Sequence, residues 1–376
     1  MKKAFIAAFL SMILINACKK DDNGKMEPIE DNTDLTGIPC GPSPHDLVIP
    51  AGLPSMNIPA DNPLTDEGIE LGRFLFYDPI LSVDSTISCA SCHQLKYSFT
   101  DLNTKSIGIN GLQGPRSSMP LLNVGFFNLG LFWDGRSPNL EDQALHPVEN
   151  PLEMAEIWDN VEVKLQNHPA YPKMFREAFC INNTSEITRD LAAKALAQFE
   201  RTLISANSRF DQKIYQGNNN PFLWSDAEVD GYLIYFDDAT GSEKLGHCAH
   251  CHDGKGLLSS ERYENNGIEA VASLDDFPDK GLGAVTGKRS DNGKFKAPSL
   301  RNIALTAPYM HDGRFATLEE VIDHYNSGGH YADNLLLASI QPLHLTETDK
   351  ANLLAFLQTF TDTSYYSNPA FQNPFQ

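Results

Sequence analysis

Positive charge is scarce in this chain. Its 376 residues hold 29 Lys and Arg against 49 Asp and Glu, a net charge of −20. A surface of that sign repels phosphate backbones, which argues against a nucleic-acid partner. It still allows docking of a basic or locally complementary protein. A membrane-spanning run is missing at the N-terminus: the apolar stretch at residues 4–15 is only 12 residues long, against the roughly 20 that a spanning helix needs. Period-two alternation of apolar and polar residues is nearly absent, so regular sheet is not expected. At 41% hydrophobic residues the chain can build a real core, and its length suits two domains plus tails.

The N-terminus "MKKAFIAAFLSMILINACKKDD" reads as a secretory signal over residues 1–17, with Lys2 and Lys3 before the apolar run. Its end, "LINAC", resembles a bacterial lipoprotein cleavage box, which makes Cys18 a lipidated first residue. Ordinary cleavage that leaves a free thiol is the alternative. Residues 18–61 then form a flexible polar tether and N-terminal arm. The Lys-Lys-Asp-Asp behind Cys18 resembles signals for the cell surface. The expected location is the periplasm or cell surface, with a lipid anchor to the outer membrane as the sole membrane contact.

Seven cysteines are too few for a disulfide scaffold of this length, yet four of them fall in two tight groups. "HCAHCH" holds Cys248, Cys251 and His252, and "CASCH" holds Cys89, Cys92 and His93. C-x-x-C-H is the attachment motif of haem c: two thiols form thioethers and the adjacent His reaches the iron. Zinc would want spaced ligand pairs, and a redox dithiol a βαβ setting. The two copies are 159 residues apart, one domain each. His247 and His250 are then solvated bystanders. Cys40 and Cys180 remain, and either pair in an oxidising compartment or stay separate thiols.

The rest reads as helix and long loops. Thr65 caps a helix through 76, and Ser137 with Pro138 starts another in "RSPNLEDQAL". Residues 185–204 place Ile187, Leu191, Leu196, Phe199 and Leu203 on one face, and 225–238 lead into the second haem motif. Thr317 with Glu320, and Thr346 with Asp349, form capping boxes, and Gly328–Gly329 ends the first of these helices. The expected fold is mainly α, two cytochrome c-type haem domains with long loops. The boundaries read as 62–204, a linker at 205–222, and 223–376 including a C-terminal tail. The helix before each haem motif is a weak internal repeat.

His93 and His252 are the expected iron ligands. A sixth protein ligand makes a carrier, and an open position makes a catalyst. After the first motif no His follows until His146, and Met119 is the nearest sulfur. Gln143, Glu149 and Glu153 are the other candidates there. A carboxylate beside an open iron can move a proton between the oxygens of a peroxide. In the second half Met310, His311, His324 and Tyr325 are available. Leu318, Val321, Ile322 and Tyr325 share one helix face, which sends Tyr325 inward and His324 elsewhere.

"CASCH", "LFWDGR", "LEDQA", "NPLEM", "HCAHCH", "APSLRN", "LTAPYMHDGR" and "TLEEVIDHY" together resemble the bacterial di-haem cytochrome c peroxidases and the MauG enzymes grouped with them, over roughly residues 62–360. The resemblance implies an enzyme with two covalent haem c groups. Such an enzyme reduces H2O2 to water with electrons from a small redox protein, a cytochrome c or a cupredoxin. It makes residues 62–204 the peroxidatic domain and 223–376 the electron-transfer domain. It implies Glu153 as acid–base residue, Gln143 beside it, and Trp133 between the haems. It also implies a Ca2+ held by the carbonyls of Thr306 and Pro308 with Ser117 or Ser118, and leaves a homodimer open. Family peroxidases carry a blocking His in the loop that matches "SIGINGLQGPR"; this chain has none, around Ile109. By count, the sixth ligand of the second haem is Tyr325, as in MauG, with Met310 as second choice. A MauG-like oxidase acting on a partner protein and a non-catalytic di-haem carrier are the rival readings.

Overall fold

The computed structural model describes residues 33–237, 245–253, 256–337 and 339–376. The signal, Cys18 and most of the tether lie outside these residues. The described residues are mainly helical, and regular sheet is confined to a two-residue antiparallel pair, Tyr263–Glu264 with Phe295–Lys296. No helix among them is long and apolar enough to cross a membrane.

Two cores form, one per haem motif. The first gathers Leu71, Phe76, Phe99, Trp158, Leu196 and Phe199 with their neighbours. The second gathers Phe210, Tyr235, Phe356 and Phe360, with Trp224 alongside. Each core is built on the same helix pair. Asp66–Tyr77 precedes the first motif and crosses Arg189–Thr202; Asp226–Tyr235 precedes the second and crosses Glu347–Gln358. A glycine makes each crossing close. A Cβ on Gly72 would strike the Ala195 carbonyl, and one on Gly231 the Asn352 carbonyl. Any side chain there would push apart the helices that carry the motif.

The helix caps at Thr65, Thr317 and Thr346 are present as the sequence implies, and the helix expected over 225–238 is Asp226–Tyr235 with Ser225 as its cap. The start at Ser137 is corrected. Asn139 is the cap, its Oδ1 accepting the Asp142 N–H at 2.9 Å, and the helix is Leu140–Glu149. Ser137 instead pairs across a turn, its carbonyl accepting the Leu131 N–H at 2.7 Å. Residues 185–188 also precede their helix: Thr188 caps Arg189–Thr202.

Long-range ties close the fold. Cys40 and Cys180 form a disulfide, Cα atoms 5.4 Å apart and 140 residues apart in sequence. Leu35 enters the first core and Ile38 packs against it, so part of the expected flexible arm is docked. Within 205–222 the helix Arg209–Ile214 puts Phe210 into the second core. Asp211 beside it makes a bidentate pair with Arg301 (2.7 and 2.9 Å), both fully buried. The C-terminal tail returns to the first core through Tyr365 and Phe371.

Candidate active site between two haem cavities

Each C-x-x-C-H motif opens onto a large cavity. One is lined by Cys89, Cys92 and His93; the other by Cys248, Cys251 and His252. Burial raises the pKa of all four thiols, to about 12 for Cys92 and Cys248. His93 Nδ1 is 2.8 Å from the Phe99 carbonyl, and His252 Nδ1 is 3.0 Å from that of Pro298. Donating Nδ1–H to a carbonyl fixes the tautomer and leaves Nε2 as the lone-pair nitrogen. Burial holds both rings neutral, lowering His252 to about 4. Paired buried thiols, an oriented neutral imidazole and a mostly apolar cavity fit haem c in both places.

The open faces of the two cavities are built by one repeated module. Leu131–Glu149 and Tyr309–Ser327 align without a gap: a β-bridge (Leu131↔Ser137, Tyr309↔Phe315), an Asp-Gly-Arg turn with Gly135 and Gly313 at φ 75° and 69°, a capping residue (Asn139, Thr317), then a helix. Leu140 and Leu318 are buried alike. In this register Pro147 stands where Tyr325 stands, and both line their cavities. Proline offers no ligand atom. The second cavity has Tyr325 and Met310, with Asn266 Nδ2 3.4 Å from Tyr325 Oη and 3.3 Å from Met310 Sδ, and His311 beside them, its ring stacked on Phe295. Tyr325 and Met310 are thus both present, and Asn266, missed in the sequence, touches both. His324 turns away, its Nε2 at 3.0 Å from the Asn266 carbonyl.

Around the first cavity the structure separates the candidates. Glu153 and Gln143 line it. Glu149 is exposed, and exposed His146 pairs with Asp142 at 3.2 Å. Asn150 ends the helix and bends the chain, so that Glu153 faces inward; Asn150 Nδ2 donates to Glu153 Oε1 at 2.6 Å. Burial raises the Glu153 pKa, opposed by the Asn150 hydrogen bond and then by Arg136 and His146. The loop around Ile109 packs on this residue: the Ile109 N–H donates to the Glu153 carbonyl at 2.8 Å. Met119 also lines the cavity. It follows Ser118, whose Oγ is 3.2 Å from His93 Nδ1, so its backbone enters on the His93 side.

Trp133 lines both cavities. Its Nε1–H donates to the Ser117 carbonyl at 3.0 Å, and its carbonyl accepts the Lys296 N–H at 2.9 Å. Lys296 also lines both cavities, and burial lowers its pKa to about 8. An isolated Lys in a short strand carries no sequence signal for this. Arg116 clamps the halves, reaching Asp134 at 2.6 Å and Asp279 at 2.7 and 2.8 Å. Thr306, Pro308, Ser117 and Ser118 all border the second cavity. Ser117 Oγ donates to the Met310 carbonyl at 2.9 Å, whereas Ser118 Oγ turns to the Cys92 carbonyl at 3.1 Å.

Residues 66–220 match the family described as di-haem cytochrome c peroxidase. The cytochrome c551 peroxidase of Nitrosomonas europaea is 38% identical over 73% of this chain and 78% of its own length. The chain belongs to the di-haem cytochrome c peroxidase family. It is also 34% identical to the methylamine utilization protein MauG of Methylorubrum extorquens, over 80% of each. A crystal structure of a MauG-like protein associated with microbial copper homeostasis superposes with a TM-score of 0.78 at 35% identity, covering 88% of this chain and all of that one. As a di-haem family member, this protein carries two covalently attached haem c groups.

Proposed function

We propose that this di-haem peroxidase reduces H2O2 to water at the first cavity, with electrons received at the second. The observation that carries the reading is the unequal pair of Pro147 and Tyr325. One module faces each haem, and only the second offers a ligand atom. Haem c, held through Cys89, Cys92 and His93, would supply the redox chemistry at this cavity. The protein supplies the protons and the path. The Glu153 carboxylate takes the proton from the near oxygen of H2O2 and returns it to the far one, so the O–O bond breaks with loss of water. That proton belongs to the peroxide itself, so two electrons and two protons from outside the peroxide complete the balance to two waters. Burial lifts Glu153 toward the pH at which it exchanges protons readily. The Gln143 amide orients the peroxide, and Asn150 holds the carboxylate in place. Trp133, touching both cavities, carries electrons between them.

The enzyme works in the periplasm, where haem c is attached and small cytochromes c or cupredoxins serve as donors. Cys18 anchors it to the outer membrane through lipid. A Ca2+ at the Thr306 and Pro308 carbonyls, with Ser117 or Ser118, braces the seam between the halves. The test of the central assignment is Glu153→Gln. Both haem spectra should persist while peroxide turnover falls by roughly 10²–10⁴-fold; wild-type rates would remove Glu153 from the mechanism. Tyr325 lining the second cavity also favours a second reading, MauG-like oxidation of a partner protein. Turnover of H2O2 with a small donor alone separates the two.

A further inference from the structure

Three histidines crowd the second haem motif, and only His250 is exposed. His252 points its Nδ1 at the Pro298 carbonyl inside the fold. The other two were expected to be solvated bystanders. Instead His247 and His250 converge on one carboxylate oxygen. Asp237 Oδ2 is 3.0 Å from His247 Nδ1 and 3.4 Å from His250 Nδ1. A ligand atom from each of the three residues lies within 4.8 Å of the other two.

Those separations are metal-ligand separations. Two donors each about 2.0–2.1 Å from a tetrahedral Zn2+ are about 3.3 Å apart. Both carboxylate–imidazole separations already match this value, and the two imidazole donors lie within 4.8 Å of each other. Asp237 is already fixed, because its Oδ1 accepts the His247 backbone N–H at 2.8 Å. Asp237 and His247 both hold left-handed backbone, φ 54° and 55°, a conformation that costs energy for residues other than glycine and gathers at ligand clamps. The side chains of Asp237 and His247 are mostly buried, at 17% and 16% exposed, while His250 is 54% exposed. Three donors on one side and solvent on the other leave open coordination positions. Two imidazoles and one carboxylate suit a divalent ion of borderline softness.

We propose that Asp237, His247 and His250 bind one divalent transition-metal ion, Cu2+ or Zn2+, on the surface beside the haem-attachment cysteines of the second motif. The ion is separate from both haem irons and from the calcium seam. It ties the residue that follows the helix Asp226–Tyr235 to the motif itself. Simple hydrogen bonding within the trio requires a proton on both Nδ1 atoms; ligation requires both as lone pairs, and the ion takes the place of those protons.

The test is calorimetric titration of the tag-free holoprotein with Zn2+ and with Cu2+, alongside Cu2+ electron paramagnetic resonance. One ion per chain is expected, with Cu2+ tighter than Zn2+ and nitrogen hyperfine structure from two imidazoles. His250→Ala, at an exposed position, should weaken binding at least about 10-fold with unchanged haem absorbance. Asp237→Asn should weaken it too, and His330→Ala, an exposed histidine outside the trio, should not. Absence of one-to-one binding would overturn the site, as would binding that survives His247→Ala together with His250→Ala.

Discussion

The two halves of this protein share a plan and differ in a few side chains. Each sets a helix on a partner at a glycine, follows it with C-x-x-C-H, and lays an Asp-Gly-Arg module over the cavity. In the second half the module presents Tyr325 and Met310, both in contact with Asn266. In the first half the matching position is Pro147, and the polar groups are Gln143 and Glu153. On the proposed reading, the same scaffold serves as catalyst on one side and carrier on the other by placing a proline where the other half has a ligand and adding a carboxylate. The stabilising ties differ as well. The first half is stapled by Cys40–Cys180, and the second by the buried Arg301–Asp211 pair.

The largest stability effect should come from the second half's tie. Arg301→Ala leaves Asp211 as an uncompensated buried charge, and thermal or denaturant unfolding should show a loss of about 3–5 kcal/mol. A loss within 0.5 kcal/mol would mean that the pair adds nothing. Replacing both Cys40 and Cys180 by Ser opens a loop of 140 residues and should cost about 4 kcal/mol, read as a lower midpoint of the first core's transition. If the second core's transition moved instead, the assignment of ties to halves would be wrong.

The ligand contrast can be exchanged directly. Tyr325→Phe should change the low-spin signal of one haem and leave the other untouched, while Pro147→Tyr should create a second low-spin signal and suppress peroxide turnover. If Tyr325→Phe leaves the spectrum unaltered and Met310→Leu changes it, the ligand is Met310.

The smallest effect is a pH dependence. Glu200 is fully buried against the first cavity, and burial raises its pKa to about 8, with Arg201 opposing and Glu141 adding. Its folded pKa lies above the unfolded value of 4.5. Its contribution is therefore fully present below pH 4.5 and lost as pH rises toward about 8. Glu200→Gln should flatten that decline and leave the protein more stable than wild type above pH 8. Parallel stability–pH curves for the two proteins would remove Glu200 as the cause.

Much of this was legible in the sequence. The two haem motifs, the helical class and most caps follow from local chemistry, because a cap or a C-x-x-C-H is read within four or five residues. The register of Pro147 on Tyr325 was legible but not read: besides Asp-Gly-Arg the two copies share Leu140-Glu141 with Leu318-Glu319 and His146 with His324, although their helix caps differ, Asn139 against Thr317. Ser137 was misread as a cap because Pro138 follows it; the bridge to Leu131 claims its backbone first. Helical periodicity could not choose Glu153 over Glu149, because the choice is made by the bend at Asn150 after the helix ends. Lys296, Asn266 and the Cys40–Cys180 pairing are products of long-range packing. The convergence of His247 and His250 needed the position of Asp237.

The central claim is the open first iron. It is tested most directly by comparing H2O2 turnover of the fully oxidised enzyme with that of the same enzyme reduced by one electron beforehand. Equal initial rates without a lag are expected, because Pro147 faces the first cavity and the Ile109 loop supplies no His. Turnover that appears only after reduction would contradict the account, and would mean that another group closes that face at rest.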